Sequence, residues 1–328
     1  MLQDQDCRRI RDLLGRMVPG EAVTGVTPLT TGFSNETYLV EGSNLILRLP
    51  PAAGAMLDGH DVIAQAHIYQ ALYELRGAPP VPKVMFTCED VSVIGVPFFV
   101  MERVPGESVH DLNLQDWFTG AADSVRSEMC RLWISTFANL ARLSPLETLG
   151  PSISPDDDVG RWRGFAQAAN SGELVQQFDR LLLRQAPLSG PASIVHGDTK
   201  LSNLMWHNFR VTAALDWEMA LNGEPLSDLG YLLYGFASRH HAATRAQKLS
   251  GMHTREQVIA QWCEVSGRSA QGVEWHEIAQ IGKICAIIAQ GVNLYVTGRS
   301  TDPKLAYFKA NLNYFMGVMA AMLDAGGF

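Results

Sequence analysis

"SIVHGDTKLSNLMW", residues 193–206, sets His196, Asp198, Lys200 and Asn203 between two apolar segments. Polar side chains crowded at the end of a short strand either satisfy backbone or carry chemistry, and spacing decides which. Ten residues beyond Trp206, within "ALDWEMALNGEPLSDLGYLLY" (214–234), Asp216 follows a short apolar strand over Val211–Leu215 and Asp228 stands just ahead of a helix. Two short strands thus each deliver a carboxylate, with an asparagine between them. Phosphoryl transfer needs such a set: an acid that receives or orients a hydroxyl proton, oxygen ligands for Mg²⁺, and a grip on phosphate. Mg²⁺ is a hard ion that takes carboxylate and amide oxygens, so one Asp plus one Asn suits it.

The rest of the chain bounds this reading. Its 328 residues are 47% hydrophobic and 18% charged, ample for one large domain or two modest ones. A formal net charge of −8 argues against a broad grip on nucleic acid. Five scattered cysteines without a CxxC pair read as small hydrophobes in a reducing compartment. The opening "MLQDQDCRRIRDLLGRM" has no apolar h-region, so no signal peptide is expected; Ile10, Leu13, Leu14 and Met17 follow helical spacing instead. "IAQIGKICAIIAQGVNLYV" is interrupted by Gln280, Lys283, Gln290 and Asn293, which predicts a buried core helix rather than a membrane span. A cytoplasmic protein is expected.

Two regions differ in pattern. Strand-like runs dominate from Val23 to Val104, broken by one helical stripe (Val62, Ala66, Tyr69, Tyr73). Beyond "PGES" (105–108) the pattern turns helical, with Met129, Trp133, Phe137 and Leu140 as one stripe. Ser154 at the head of "SPDDDVGRW" suits a helix N-terminus, and Thr254 with Gln257 forms a capping box for a helix stopped by Gly267. The expectation is an α+β chain: a small antiparallel sheet with one helix over 1–104, then a large helical lobe over 105–328. His207, His240 and His241 lack metal spacing and are expected in surface loops.

"HGDTKLSN" followed by "LDWE" resembles the catalytic loop and metal motif of the aminoglycoside phosphotransferase and choline kinase-like family. The resemblance implies a bilobal protein-kinase-like fold and transfer of the γ-phosphate of ATP, or GTP, to a hydroxyl of a small molecule. By that pattern Asp198 is the catalytic base, with His196 and Lys200 beside it; Asn203 and Asp216 hold Mg²⁺; and Asp228 steadies the loop. Read from the residues alone, Asp228 is equally a helix N-cap, and Lys200 either touches the γ-phosphate or faces solvent. "LTTGFSNETYLV" looks like the family's phosphate loop, with Gly32, Ser34 and Asn35 near phosphate oxygens. "FFVMERVPGES" looks like the hinge, with Met101 as gatekeeper and the backbone around Glu102 and Val104 toward the base. "TREQVIAQWCEVSGR" and the helix after it are similar to the branch of kinase-like domains fused to acyl-CoA dehydrogenases.

Two positions depart from the kinase pattern. The strand lysine that grips phosphate is Arg48, whose planar fork still suits phosphate oxygens, and its acidic helix partner falls at Gln65. This pair motivates a rival reading, a nucleotide-binding scaffold without turnover. A third is a metal-dependent hydrolase using His196, Asp198 and Asp216 as ligands. The acceptor is open, with an aminoglycoside, a hydroxylated acyl-CoA and other metabolite alcohols as candidates. Its specificity is expected to lie after Glu107 and from Ala237 onward.

Overall fold

The computed structural model describes residues 2, 4–18, 20, 22–30, 36–50, 61–111, 113–300, 305 and 308–326. The chain divides into two compact units, one of residues 1–75 and 80–104, the other of 76–79 and 105–328.

The first unit begins with helix α1 (Asp4–Met17) and strands β1 (Gly25–Thr30), β2 (Glu36–Glu41) and β3 (Leu45–Leu49). Helix α2 (Val62–Glu74) and strands β4 (Val84–Cys88) and β5 (Phe98–Glu102) follow. The strands form one antiparallel sheet in the order β1-β2-β3-β5-β4. Strand β2 alternates, burying Tyr38 and Val40 and leaving their neighbours more open, as a period of two requires. The central strands "LILRL" and "FFVME" are nearly continuous apolar runs because both of their faces are covered. Ile10 and Leu14 of α1 cover one face, joining Tyr38, Val40, Leu47, Phe98 and Val100 in a single cluster. Helix α2 packs against β4 and β5. Asp61 caps its start by accepting the Ile63 N–H at 2.8 Å. Of the expected stripe on this helix, Val62, Ala66 and Tyr69 are buried, whereas Tyr73 is half exposed and Leu72 takes the inward position. The buried face also includes Ile63, Gln65 and Ile68, so it is wider than a single stripe and rotated from the one the spacing suggested.

In the second unit come β6 (Glu107–Ser108), α3 (Asp116–Thr119), α4 (Asp123–Ala138), α5 (Pro155–Ala168), α6 (Gly172–Leu182) and β7 (Ser193–Val195). Then follow β8 (Leu204–His207), β9 (Arg210–Ala214), β10 (Leu221–Gly223), α7 (Leu226–Leu233), α8 (Arg255–Ser266), α9 (Val273–Val296) and α10 (Phe308–Ala325). Strands β6-β8-β9 form one small sheet and β7-β10 another. Between β8 and β9 only Asn208 and Phe209 intervene, both at positive φ (50° and 59°), the pattern of a type I′ turn that matches strand twist. By length and composition α9 could cross a membrane, but it packs against α5, α6, α7 and α10 and most of it is buried. Gly230 of α7 lets that packing close: a Cβ there would stand 2.7 Å from the Glu277 backbone nitrogen of α9. Met129, Trp133, Phe137 and Leu140 are all buried, as their spacing predicts.

The caps read from sequence are formed. Ser154 accepts the Asp157 N–H at 3.1 Å. The Thr254–Gln257 box is reciprocal, and Gly267 closes α8 at φ 71°. Thr254→Ala should therefore cost about 1 kcal/mol. Urea denaturation followed by circular dichroism measures it, and an unchanged midpoint would mean that packing alone holds this helix end.

Candidate active site

Strand β7 runs into the loop from His196 to Asn203, and the loop is fixed at nearly every polar atom. Asp228, from the first turn of α7, accepts the His196 N–H on Oδ2 and the Gly197 N–H on Oδ1, both at 2.8 Å. Of the two readings of this carboxylate, the loop contact is the one formed; the residue at the N-cap of α7 is Pro225. Gly197 sits at φ 79°, and a Cβ there would meet the Met219 carbonyl oxygen at 2.5 Å, so only glycine fits. The Gly197 carbonyl accepts from Lys283 Nζ of α9, and the next N–H, of Asp198, donates to His196 Nδ1 at 3.2 Å.

His196 is fully buried between Phe137 and Trp217, with ring centroids 4.9 and 4.5 Å away. Its Nε2 lies 2.9 Å from the Leu215 carbonyl, so that nitrogen carries the proton and Nδ1 accepts. Burial lowers its pKa to about 4 against the pull of Asp198, which keeps the ring neutral. Both nitrogens are spent on the backbone. His196, expected beside the base as a catalytic group, is therefore a positioning residue, and it has no nitrogen left to ligate a metal.

Asp198 is 4% exposed. Asn203 Nδ2 donates to its carbonyl at 2.7 Å and to its Oδ2 at 2.9 Å, and Lys200 Nζ stands 2.9 Å from the same Oδ2. Oδ1 is buried and accepts no hydrogen bond among the described residues. Burial alone would raise this pKa, but the Lys200 charge and the nearby Tyr231 hydroxyl outweigh it and hold the carboxyl below its ordinary value. Lys200 is the counter-ion of this buried acid, and its side chain stays 36% exposed at the cavity beside it. Burial opposes its charge, yet Asp198 and Asp216 hold its pKa above the ordinary lysine value.

Asn203 spends its amide nitrogen on Asp198, which leaves Oδ1, the atom a hard cation takes. Its carbonyl accepts the Leu215 N–H at 2.8 Å, tying the loop to the residue just before Asp216. Asp216 itself is left-handed (φ 66°, ψ 57°), an uncommon conformation for a residue with a side chain and one that clusters at functional sites. Asn203 and Asp216 offer hard oxygen donors of the kind Mg²⁺ prefers, so the donor set fits that ion.

A cavity of about 570 Å³ opens beside Lys200. Asp111 and His110 line it, as do Trp133, Tyr231, Tyr234 and Phe315, so segments after Glu107 and after Ala237 both contribute. In the first unit, Arg48 Nη1 donates to Thr37 Oγ1 at 2.8 Å and Nη2 to Gln65 Oε1 at 3.3 Å, the pairing that the family resemblance implies. Met101 is buried in β5, Glu102 is exposed with its N–H on the Lys83 carbonyl, and Val104 is half-buried at the end of that unit. Gly32, Ser34 and Asn35 lie outside the described residues. His241 lies in a loop, but its ring is buried there, with Nε2 3.2 Å from Glu277 Oε1, an oxygen that also accepts from Arg255 Nη1 at 2.8 Å. Lys283, read in the sequence only as an interruption of an apolar helix, is buried and reaches this loop, a contact that reading missed. The available signal was a single lysine within an otherwise apolar helical run.

Burial raises the Asp228 pKa to about 6, although the two N–H groups and Lys283 pull it down. The native state therefore holds that proton more tightly than the unfolded chain does. The resulting stabilisation is complete below the ordinary value of 3.8 and is lost as pH rises through about 6. In urea denaturation across that window, wild-type stability should fall with pH relative to Asp228→Asn; a constant difference would place the proton elsewhere. Gly197→Ala should cost about 1–2 kcal/mol from its left-handed backbone alone, before the clash.

The sequence profile described as "Phosphotransferase enzyme family" matches residues 25–262, well over half of the chain. Human (Homo sapiens) acyl-CoA dehydrogenase family member 11 is 30% identical over 300 residues, covering 86% of this chain and 38% of that protein. The chain thus spans about two fifths of the length of the curated relatives it matches. A Ralstonia eutropha structure, provisionally assigned as an aminoglycoside phosphotransferase, superposes with a TM-score of 0.76 at 21% identity, over 98% of this chain and 99% of that one. An aminoglycoside phosphotransferase solved with GDP and kanamycin gives a TM-score of 0.63 at 14% identity, over 93% and 97%. The fold is theirs, an α+β kinase-like one, and the chain belongs to the phosphotransferase enzyme family.

Proposed function

We propose that the protein transfers the terminal phosphoryl group of ATP or GTP to a hydroxyl of a small molecule, with Mg²⁺ as cofactor. The observation that carries this reading is Asp198: a buried carboxylate held below its ordinary pKa, paired with Lys200 and near the Tyr231 hydroxyl, two residues that both line a cavity of acceptor size. An acceptor hydroxyl hydrogen-bonded to Oδ1 would pass its proton there as its oxygen bonds to the terminal phosphorus and the bond to the bridging oxygen breaks. Lys200 holds the other carboxylate oxygen and orients the base. Arg48, steadied by Thr37 and Gln65, supplies donors for the other phosphates. Bound Mg²⁺, held by Asn203 and Asp216, would supply neutralisation of phosphate charge.

Kanamycin in one structural neighbour supports a small-molecule acceptor. The cavity here narrows that class. Trp133, Tyr231, Tyr234, Tyr314 and Phe315 give it an aromatic share of wall, and Asp111 is the carboxylate among the residues that line it, with Lys200 and Arg245 as cations. Such walls favour an alcohol with apolar surface over a polycation. The scaffold reading is weaker, because a site without turnover has no need of an ionised buried base.

Two experiments test this. Asp198→Asn should bind MgATP as wild type does and lose roughly 10²–10⁴ in turnover, while Asp216→Ala should lose Mg²⁺-dependent nucleotide binding. Failure of Asp198→Asn to bind nucleotide would refute that division of roles. Arg48→Ala should raise the KM for ATP by more than Gln65→Glu, whose effect should stay within about tenfold. An Arg48→Ala enzyme with unchanged ATP KM would show that another residue grips the phosphates. Among acceptors, uncharged amphiphilic alcohols should outpace kanamycin.

A further inference from the structure

We infer that Lys283, in the middle of α9, is a positioning residue for phosphoryl transfer: it locks the peptide that carries Asp198 and, through its cation, the ring of Tyr231 in the acceptor cavity. This rests on the reading of Asp198 as the base.

The peptide between Gly197 and Asp198 has two polar atoms, and each has one partner. The N–H donates to His196 Nδ1, and the carbonyl accepts from Lys283 Nζ. The residue before this peptide is a glycine at φ 79°, for which several backbone conformations are close in energy. Asp228 holds the N–H of Gly197, but it does not touch the carbonyl that follows. Rotation of that one peptide would carry the Asp198 carboxylate away from Asn203 and Lys200. Lys283 opposes it from the carbonyl side, as His196 does from the N–H side.

The same ammonium stands 4.8 Å from the Tyr231 ring centroid and 5.8 Å from that of Trp162, within cation–π range. Tyr231 lines the cavity beside Asp198. Only 3% of Lys283 is exposed, and an ammonium so buried is costly unless it is paired. Burial works against this charge; Asp158, then Asp198 and Asp228, supply the compensating field, while Arg161 opposes it. One cation on α9 therefore ties together the loop, from β7, and the acceptor wall, from α7. A lysine placed only for helix stability would have turned to solvent.

Lys283→Met removes the charge and the donor while keeping the length, and Lys283→Arg keeps both. Two readouts are taken on the full chain: amide hydrogen exchange of residues 193–206 against α10, and steady-state kinetics with MgATP and the best acceptor alcohol. Lys283→Met is expected to speed exchange in the loop at least about tenfold with α10 unchanged, and to lower kcat by about 10²-fold, the cost of a misplaced base. The KM for MgATP should stay within about threefold, and Lys283→Arg should recover most of the loss. Unchanged exchange and kcat in Lys283→Met would overturn the inference, as would an Arg variant as slow as the Met one, or equal exchange gains in α10. If the Met variant does not fold, Lys283→Gln takes its place with the same expected and overturning results. A wild-type protein that phosphorylates no alcohol would sink the phosphotransfer reading, and the exchange measurement would then decide the contact alone.

Discussion

Everything at the candidate site hangs on one carboxylate receiving two backbone N–H groups. Asp228 fixes the turn at His196 and Gly197, and that turn sets where Asp198 emerges. Hydrogen bonds to an ionised acceptor are shorter and about twice as strong as neutral ones, so this is a firm anchor. Its cost is a charge buried in the second unit's core, which explains why a buried lysine stands nearby. Removing either partner leaves the other uncompensated, so both are expected to be less replaceable than the apolar residues around them.

The arrangement separates holding from reacting. His196, Asp228 and Lys283 spend their polar atoms on backbone. Asn203 and Lys200 spend theirs on Asp198. Among the described residues, Asp198 Oδ1 accepts no hydrogen bond within ordinary geometry, and Asp216 follows along the chain in its uncommon backbone conformation. A site whose polar groups are otherwise satisfied offers few alternative arrangements, which is the physical meaning of preorganisation.

Much of this was legible in the chain. Alternation in "ETYLVE", the unbroken runs of β3 and β5, and the capping box of α8 encode local structure in local spacing. The His196–Asn203 motif is likewise local, and the Arg48–Gln65 pair followed from the family resemblance rather than from spacing. What could not be read joins distant segments. Lys283 reaches Gly197 across 86 positions, and His241 meets Glu277 across 36. Nothing in the spacing around a lone lysine on an apolar helix says which carbonyl it will find. The ion pair of Lys200 with Asp198 was likewise not read from the spacing, although the two residues stand only two positions apart.

The two-residue turn at Asn208 and Phe209 has a consequence for how such a site comes into being. It clamps β8 to β9, whose open end, away from the turn, leads to both Asn203 and Asp216, with Asn203 joined to the residue before Asp216 through the Leu215 N–H. These contacts are local in sequence, whereas the anchors from α7 and α9 close much longer loops. An insertion of one residue in the turn would shift the register and turn the alternate side chains over, disturbing the paired oxygen donors while leaving the anchors from α7 and α9 available.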